Sequence, residues 1–304
     1  MSATDGTTVK VQRPAAPPRG WSRERIVGWV LVCLWIALGA GLATYLFSAW
    51  NPELFAKYAP SYLSGLRVTL VLVAISIVLG AILSVPICYA RMSKNRVLNA
   101  ISYAYVYFFR GTPLLAQTFL IYYGFGSFRP ALESVGLYLP VFSGWFAVFG
   151  GIEIPTGLEL SYFTLWDFFR EAWYCAVFAF ALNTAAYQAE IMRGAIESVG
   201  KGQWEAASAL GLSKLQTLYK IILPQALIVA LRPYGNEIIL MIKGSAIVAI
   251  ITVYDLMGET RRAFSRTFDF QTYLWAALLY LSLVETLRHL VDWIETRITR
   301  HLHR

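Results

Sequence analysis

Residues 68–90 read VTLVLVAISIVLGAILSVPICYA, without one Asp, Glu, Lys or Arg. A helix rises about 1.5 Å per residue and the hydrocarbon core of a bilayer is about 30 Å thick, so about 20 such residues cross it. The stretch predicts a transmembrane helix. Others surround it. Residues 26–50 are equally uncharged, 97–128 is interrupted only by Arg110, and 238–254 only by Lys243. Residues 172–189 are uncharged and run on through Glu190 to Met192, and a sixth stretch occupies 270–287. Beyond it, Leu290, Trp293, Ile294 and Ile298 alternate with charges, the pattern of a helix leaving the bilayer along its surface.

The composition agrees. Of 304 residues 57% are apolar and 14% charged, with mean hydropathy +0.54, whereas soluble domains average about 45–50% and about 25%. Lys and Arg number 26 against 18 Asp and Glu. In a membrane protein that excess reads as topology rather than as nucleic-acid binding. Cys33, Cys88 and Cys175 are far apart, which argues against a disulfide framework or zinc site. The three histidines, His289, His301 and His303, leave no material for an H-E-x-x-H metal centre.

Basic residues set the expected orientation. Lys10, Arg13, Arg19, Arg23 and Arg25 precede the first span, Arg91, Lys94 and Arg96 follow the second, and Arg193, Lys201, Lys214 and Lys220 follow the fourth. The positive-inside rule places them all in the cytoplasm, and six spans return the C-terminus there. Arg261, Arg262 and Arg266 dissent, partly offset by Asp255, Glu259 and Asp269. The expected organisation is a disordered cytoplasmic leader (1–22), an uncleaved N-terminal helix with its outer turn (23–61), a permease-like core (62–296) and a basic tail (297–304). The outer connection 129–171 is acidic, and its uncharged piece 136–151, with Pro140, Gly144 and Gly150, suggests an interfacial or re-entrant turn.

Within the stretch 193–224, residues 202–224 read GQWEAASALGLSKLQTLYKIILP. They are too polar to insert and too patterned for a loop. A first short helix over 203–210 should stop at Gly211, the residue that most easily becomes left-handed. Ser213 can cap a second. On it Leu215, Leu218, Tyr219 and Ile222 fall at i, i+3, i+4 and i+7, one apolar face.

Here the chain resembles the permease subunits of bacterial ABC importers of the polar amino acid family. That family's cytoplasmic signature is E-A-A, three residues, G, nine residues, I-x-L-P, and Glu205, Ala206, Ala207, Gly211, Ile221, Leu223 and Pro224 match it at every spacing. RGTPLL at 110–115, NTAAYQAEIMRGAI at 183–196 and LPQAL at 223–227 look like further family motifs. The resemblance implies an all-α type I importer permease with five core transmembrane helices, here plus one extra N-terminal helix, and with cytoplasmic coupling helices in the inner membrane. It implies three kinds of partner: a second permease chain, identical or not, an ABC ATPase dimer, and a periplasmic substrate-binding protein. It also implies that the chain is a transport subunit, not an enzyme. The chain contains no G-x-x-x-x-G-K-[ST], so ATP and Mg would be bound by the ATPase and no cofactor by this chain.

A charge at mid-bilayer costs about 2.5–3.5 kcal/mol on insertion scales, so Arg110, Glu190, Glu237 and Lys243 should face protein or water. Arg110, Gly111, Thr112 and Pro113 form a candidate gate or kink, since the proline weakens the helix. Asn183, Tyr187 and Glu190 share a helix face that could line a pathway or bond to a neighbouring helix. Asn236, Glu237, Lys243 and Ser245 are the other pathway candidates, although the family's Thr-Ser-Leu after the lysine is replaced by Gly244-Ser245-Ala246. The stretch 236–241 resembles the branch that handles histidine, arginine and opine-like compounds. Two other classes remain open: an ion-driven carrier or channel, which would call for paired carboxylates and an inverted repeat, and an intramembrane hydrolase, hard to place with no histidine before His289.

Overall fold

The structure, a computed structural model, describes residues 22–48, 50–148 and 152–300. The expected leader 1–22 lies almost wholly, and the tail 297–304 partly, outside them. The chain divides at Pro52 into two units. The first contains one helix, α1 (Arg23–Ser48). The division precedes the expected boundary at 61/62, which falls inside a continuous 40-residue helix, α2 (Pro52–Arg91).

The second unit is helical except for one hairpin. After α2 come α3 (Arg96–Gly111), capped by the Asn95 side chain, and α4 (Leu114–Gly124). A 3-10 turn leads to α5 (Arg129–Glu133). The antiparallel strands β1 (Gly136–Val148) and β2 (Ile152–Thr164) pair with Gly136 opposite Thr164 and Val148 opposite Ile152. Residues 136–148 of the stretch expected as an interfacial or re-entrant turn form instead one arm of a two-stranded ribbon. Then follow α6 (Leu165–Phe169), with a Thr164–Asp167 capping box, α7 (Ala172–Ser198), α8 (Lys201–Ala209) and α9 (Lys214–Thr217). A π turn (Leu218–Ile222) joins α9 to α10 (Leu223–Ser245), which ends in a 3-10 turn; α11 (Leu256–Thr267) and α12 (Gln271–Thr299) complete the chain.

Among the described residues, four helical runs are long and apolar enough to cross a membrane: Arg23–Ser48, Pro52–Arg91, Lys214–Ile251 and Gln271–Thr299. The expected span 97–128 is broken at Pro113, and α7 is long enough at 27 residues but carries Asn183, Thr184, Gln188 and Glu190.

α7 is the centre of this unit. Its buried Ala176, Ala179, Ala181, Ala185, Ala186 and Ala189 let backbones approach closely, the usual means of association where lipid removes the hydrophobic drive. At Gly80 of α2 a Cβ would run into Thr184 Cγ2, so the two helices cross too closely there for a side chain. Gly65, lower on α2, is held as tightly: a Cβ there would lie 2.8 Å from the Asp255 carbonyl oxygen. Tyr58, Tyr62, Leu256, Ala263, Trp275 and Ala276 form a separate core joining α2, α11 and α12.

Candidate functional site

The signature segment folds as two short helices around a left-handed glycine. α8 ends where the Leu212 N–H reaches back to the Ala207 carbonyl at 3.1 Å, a closure that places Gly211 at φ +74°. Ser213 then caps α9: its hydroxyl accepts from the Gln216 N–H at 3.3 Å, and Gln216 Oε1 accepts from the Ser213 N–H at 3.0 Å. Glu205 and Ala206 are exposed and Ala207 is buried. Ile221 and Leu223 are half-buried and Pro224 is exposed.

The expected single apolar face of the second helix does not form. Leu223 N–H bonds to the Leu218 carbonyl, five residues back. Pro224 has no N–H to give Lys220, and the widened turn absorbs that missing bond. The sequence spacing assumed a uniform 3.6-residue period, and the π turn breaks it. Ile222 is wholly buried and Leu218 half-buried, while Leu215 and Tyr219 are exposed. Together with Leu210 they put three large apolar side chains on the surface of this segment.

The second cluster surrounds the break between α3 and α4. Thr112 is extended, its hydroxyl donates to the Phe108 carbonyl at 2.8 Å, and Pro113 opens α4. Gln117 Nε2 fastens the break by donating to the Phe109 carbonyl at 2.9 Å and to Thr112 Oγ1 at 2.7 Å. Asn183 of α7 donates to the same Phe109 carbonyl and to Gln117 Oε1, each at 3.0 Å. One turn on, the Tyr187 hydroxyl lies 3.4 Å from the Arg110 carbonyl. Glu190 completes the row. Its carboxylate takes Arg91 Nε at 2.8 Å and Arg193 Nη2 at 2.8 Å, with Arg110 Nη1 4.0 Å away. Asn183, Tyr187 and Glu190 thus do share a face, directed at the α3–α4 break and the end of α2.

The remaining pathway candidates divide. Glu237 is buried and accepts from Thr184 Oγ1 at 2.9 Å, and Thr184 Oγ1 also accepts from Gln188 Nε2 at 3.1 Å. Ser245 is buried and donates to the Ile242 carbonyl of its own helix. Asn236 and Lys243 are exposed. Sequence reasoning passed over Arg91 and Arg193 as site residues because their charge reads first as topology. Glu190, Arg193 and Glu197, at spacings of three and four, carried the signal that could have found Arg193. Nothing in the spacing pointed to Arg91, which lies 99 positions from Glu190.

A helical chain with several membrane-length helices, an exposed glycine-hinged helix pair and a braced polar break within the bundle has the features of a transport subunit. The chain belongs to the family of binding-protein-dependent transport system inner membrane components, whose pattern matches residues 76–304. It is 37% identical over 251 residues to the nopaline transport system permease protein NocM of Agrobacterium fabrum, covering 82% of this chain and 92% of that one. The arginine ABC transporter permease protein ArtM of Haemophilus influenzae is 33% identical, with 81% and 95% covered. A chain from the crystal structure of an amino acid ABC transporter with histidines superposes with TM-score 0.65 at 31% identity, covering 82% of this chain and 99% of its own. The MetNI methionine ABC transporter in inward-facing form shares the fold, with TM-score 0.57 at 18% identity. The chain is thus a multi-pass inner-membrane permease of the ABC importer fold.

Proposed function

We propose that this permease imports amino acids, of the polar, basic or opine-like kind, by alternating access driven by ATP hydrolysis on a separate ATPase dimer. The relatives' names, which are nopaline, octopine and arginine transporters, support the substrate class. Family membership favours ATP drive over an ion-driven carrier. The observation that carries the reading is the α8–Gly211–α9 element, which leaves Glu205 and the apolar Leu210, Leu215 and Tyr219 exposed. Large apolar side chains exposed on one short element mark a docking surface, and here its occupant is the ATPase. Ala206 and Ala207 let the helix sit close in a groove, and Ile221, Leu223 and Pro224 pass its movement into α10.

In this reading the pathway is shared with a second permease chain, and a periplasmic binding protein delivers the solute to the face that carries the hairpin within 129–171. Residues 193–224 and both termini are cytoplasmic. Six helices span the membrane, with α3 and α4 counted as one broken span. ATP and Mg are bound by the ATPase. The permease region is 62–296 and α1 is an addition to it. The polar row Asn183, Tyr187 and Glu190, with Asn236, Glu237, Lys243 and Ser245, belongs to the transport path or its walls, and Arg110 to Pro113 form its hinge.

Tagged protein, expressed with its neighbours and solubilised mildly, should co-purify with an ABC ATPase. Glu205→Lys should lose that ATPase while remaining inserted. Recovery of the permease without any ATPase in several mild detergents would refute ATP coupling.

A further inference from the structure

The register of β1 and β2 sorts the residues of the ribbon by face. Successive residues of a strand alternate between its two sides, and residues directly opposite one another share a side. Tyr138 pairs with Tyr162, Phe142 with Leu158 and Phe146 with Ile154 on one face. Val141 pairs with Glu159 and Ala147 with Glu153 on the other. Residues 136–164 contain no further Asp or Glu and no Lys or Arg. The first face is therefore free of charge along strands of 13 residues, about 40 Å at the rise of a strand. At its base the Tyr138 and Tyr162 rings have centroids 5.1 Å apart, and the two residues are 70% and 50% exposed.

A two-stranded ribbon is only marginally stable in water by itself and gains most by covering its apolar face. The nearest apolar phase is the bilayer. Only α6, Arg170 and Glu171 separate Thr164 from α7, so the base of the ribbon is held at the end of a helix of the membrane unit. Trp166, Trp173 and Tyr174 stand along this junction, and Trp and Tyr are the residues that collect at headgroup depth. The Arg129 guanidinium, 5.2 Å from the Trp166 ring centroid, adds a cation at the same place. Free strand edges bar the ribbon from the hydrocarbon, where their unpaired N–H and C=O groups would find no partner. It can lie along the bilayer but not cross it. A protein-binding patch has a polar rim around its apolar centre, whereas here both acids are confined to the opposite face, the division of an element that lies in the interface plane.

We propose that the β1–β2 ribbon lies flat on the outer leaflet, with its uncharged face in the headgroup and upper acyl layer of the lipid and the face of Glu153 and Glu159 toward water. The outer side follows from the orientation proposed above, and the lipid contact itself holds whichever solute is carried.

The test uses the permease–ATPase complex in vesicles of phosphatidylcholine and phosphatidylglycerol. Cys33 is exposed and is removed as Cys33→Ser, whereas Cys88 and Cys175 are buried and stay. In this background Phe142→Cys and Val141→Cys each take one nitrobenzoxadiazole fluorophore, on opposite faces of β1. Phospholipid bearing a nitroxide on carbon 5 of its acyl chain should quench the label at position 142 at least threefold more than the label at 141, and aqueous iodide should do the reverse. Leu158→Cys and Glu159→Cys repeat the comparison on β2 and decide the matter if Phe142→Cys does not assemble. Equal quenching of both labels by the lipid, or none of either, would overturn the proposal. So would a label at 142 that iodide reaches until purified binding protein is added, which would assign the face to that protein. Arginine uptake by the same vesicles is measured in parallel with binding protein and ATP. Lipid quenching at 142 in vesicles that take up no arginine would count against the import reading while supporting this inference.

Discussion

Arg91 Nε lies 2.8 Å from Glu190 Oε1 and ties the end of α2 to α7. Both side chains are largely buried, at 13% and 12% exposure, and the same carboxylate holds Arg193. One acid therefore anchors two helices and neutralises cations on both. Removing it leaves Arg91 and Arg193 facing each other.

Glu190→Ala should for that reason cost more than either arginine variant. Breaking a fully buried pair costs about 3–5 kcal/mol, and the residual exposure here lowers the expectation to about 2–3 kcal/mol. Thermal unfolding of the detergent-solubilised protein would measure it. A double-mutant cycle of Arg91→Gln with Glu190→Gln should show positive coupling, and additive effects would deny the pair any energetic role.

Gly65→Ala should destabilise by about 1–3 kcal/mol, the usual cost of forcing a methyl into a packed site. Its Cβ would meet the Asp255 carbonyl, and backbone cannot rotate aside. Gly111→Ala, which would meet nothing within 4 Å, serves as the contrast and should differ by well under half that amount when both are compared by limited proteolysis and thermal shift.

Gly211→Ala separates backbone from contact, because a side chain there has open space but φ is +74°. The left-handed conformation costs an alanine roughly 1–2 kcal/mol, and an asparagine less. Uptake should therefore rank wild type, Gly211→Asn, Gly211→Ala. Equal uptake by all three would mean that the hinge geometry is irrelevant to transport.

Asp255 should make stability fall as pH rises. It caps α11, accepting from the Gly258 N–H at 2.8 Å, and burial pushes its carboxyl up to about 6. The unfolded value is about 3.9. Between the two the folded state holds a proton that the unfolded state has released, so stability is highest below about 4, declines to about 6 and then levels. Asp255→Asn keeps a capping oxygen and should flatten that part of a melting-temperature profile. An unchanged slope would place its origin elsewhere.

The membrane class was legible because apolar runs such as 68–90 leave no alternative, and the signature helices because Gly211 and Ser213 are local signals. The hairpin was missed although Gly150-Gly151, between Val148 and Ile152, stands between runs rich in aromatic and β-branched residues, which is a hairpin signal. The face of the second signature helix failed differently: Leu215, Leu218, Tyr219 and Ile222 are spaced for an α-helix, and no periodicity shows that Pro224 will widen the turn before it. At the polar cluster, Asn183, Tyr187 and Glu190 were readable as one row from spacing alone. Their partners Gln117 and Arg91 were not, since only the packing of α7 against α2, α3 and α4 brings them near.

The π turn at Leu218–Ile222 carries one residue more than an α-helix would use to cover the same rise. Each residue advances a helix by about 100°. Rewinding the same five residues as regular α-helix would therefore leave α10 where it is and swing α8 and α9 by about a quarter of a revolution. The turn is a phase setting: its winding, more than the identity of any side chain on it, decides which compass bearing Glu205 and Leu215 face.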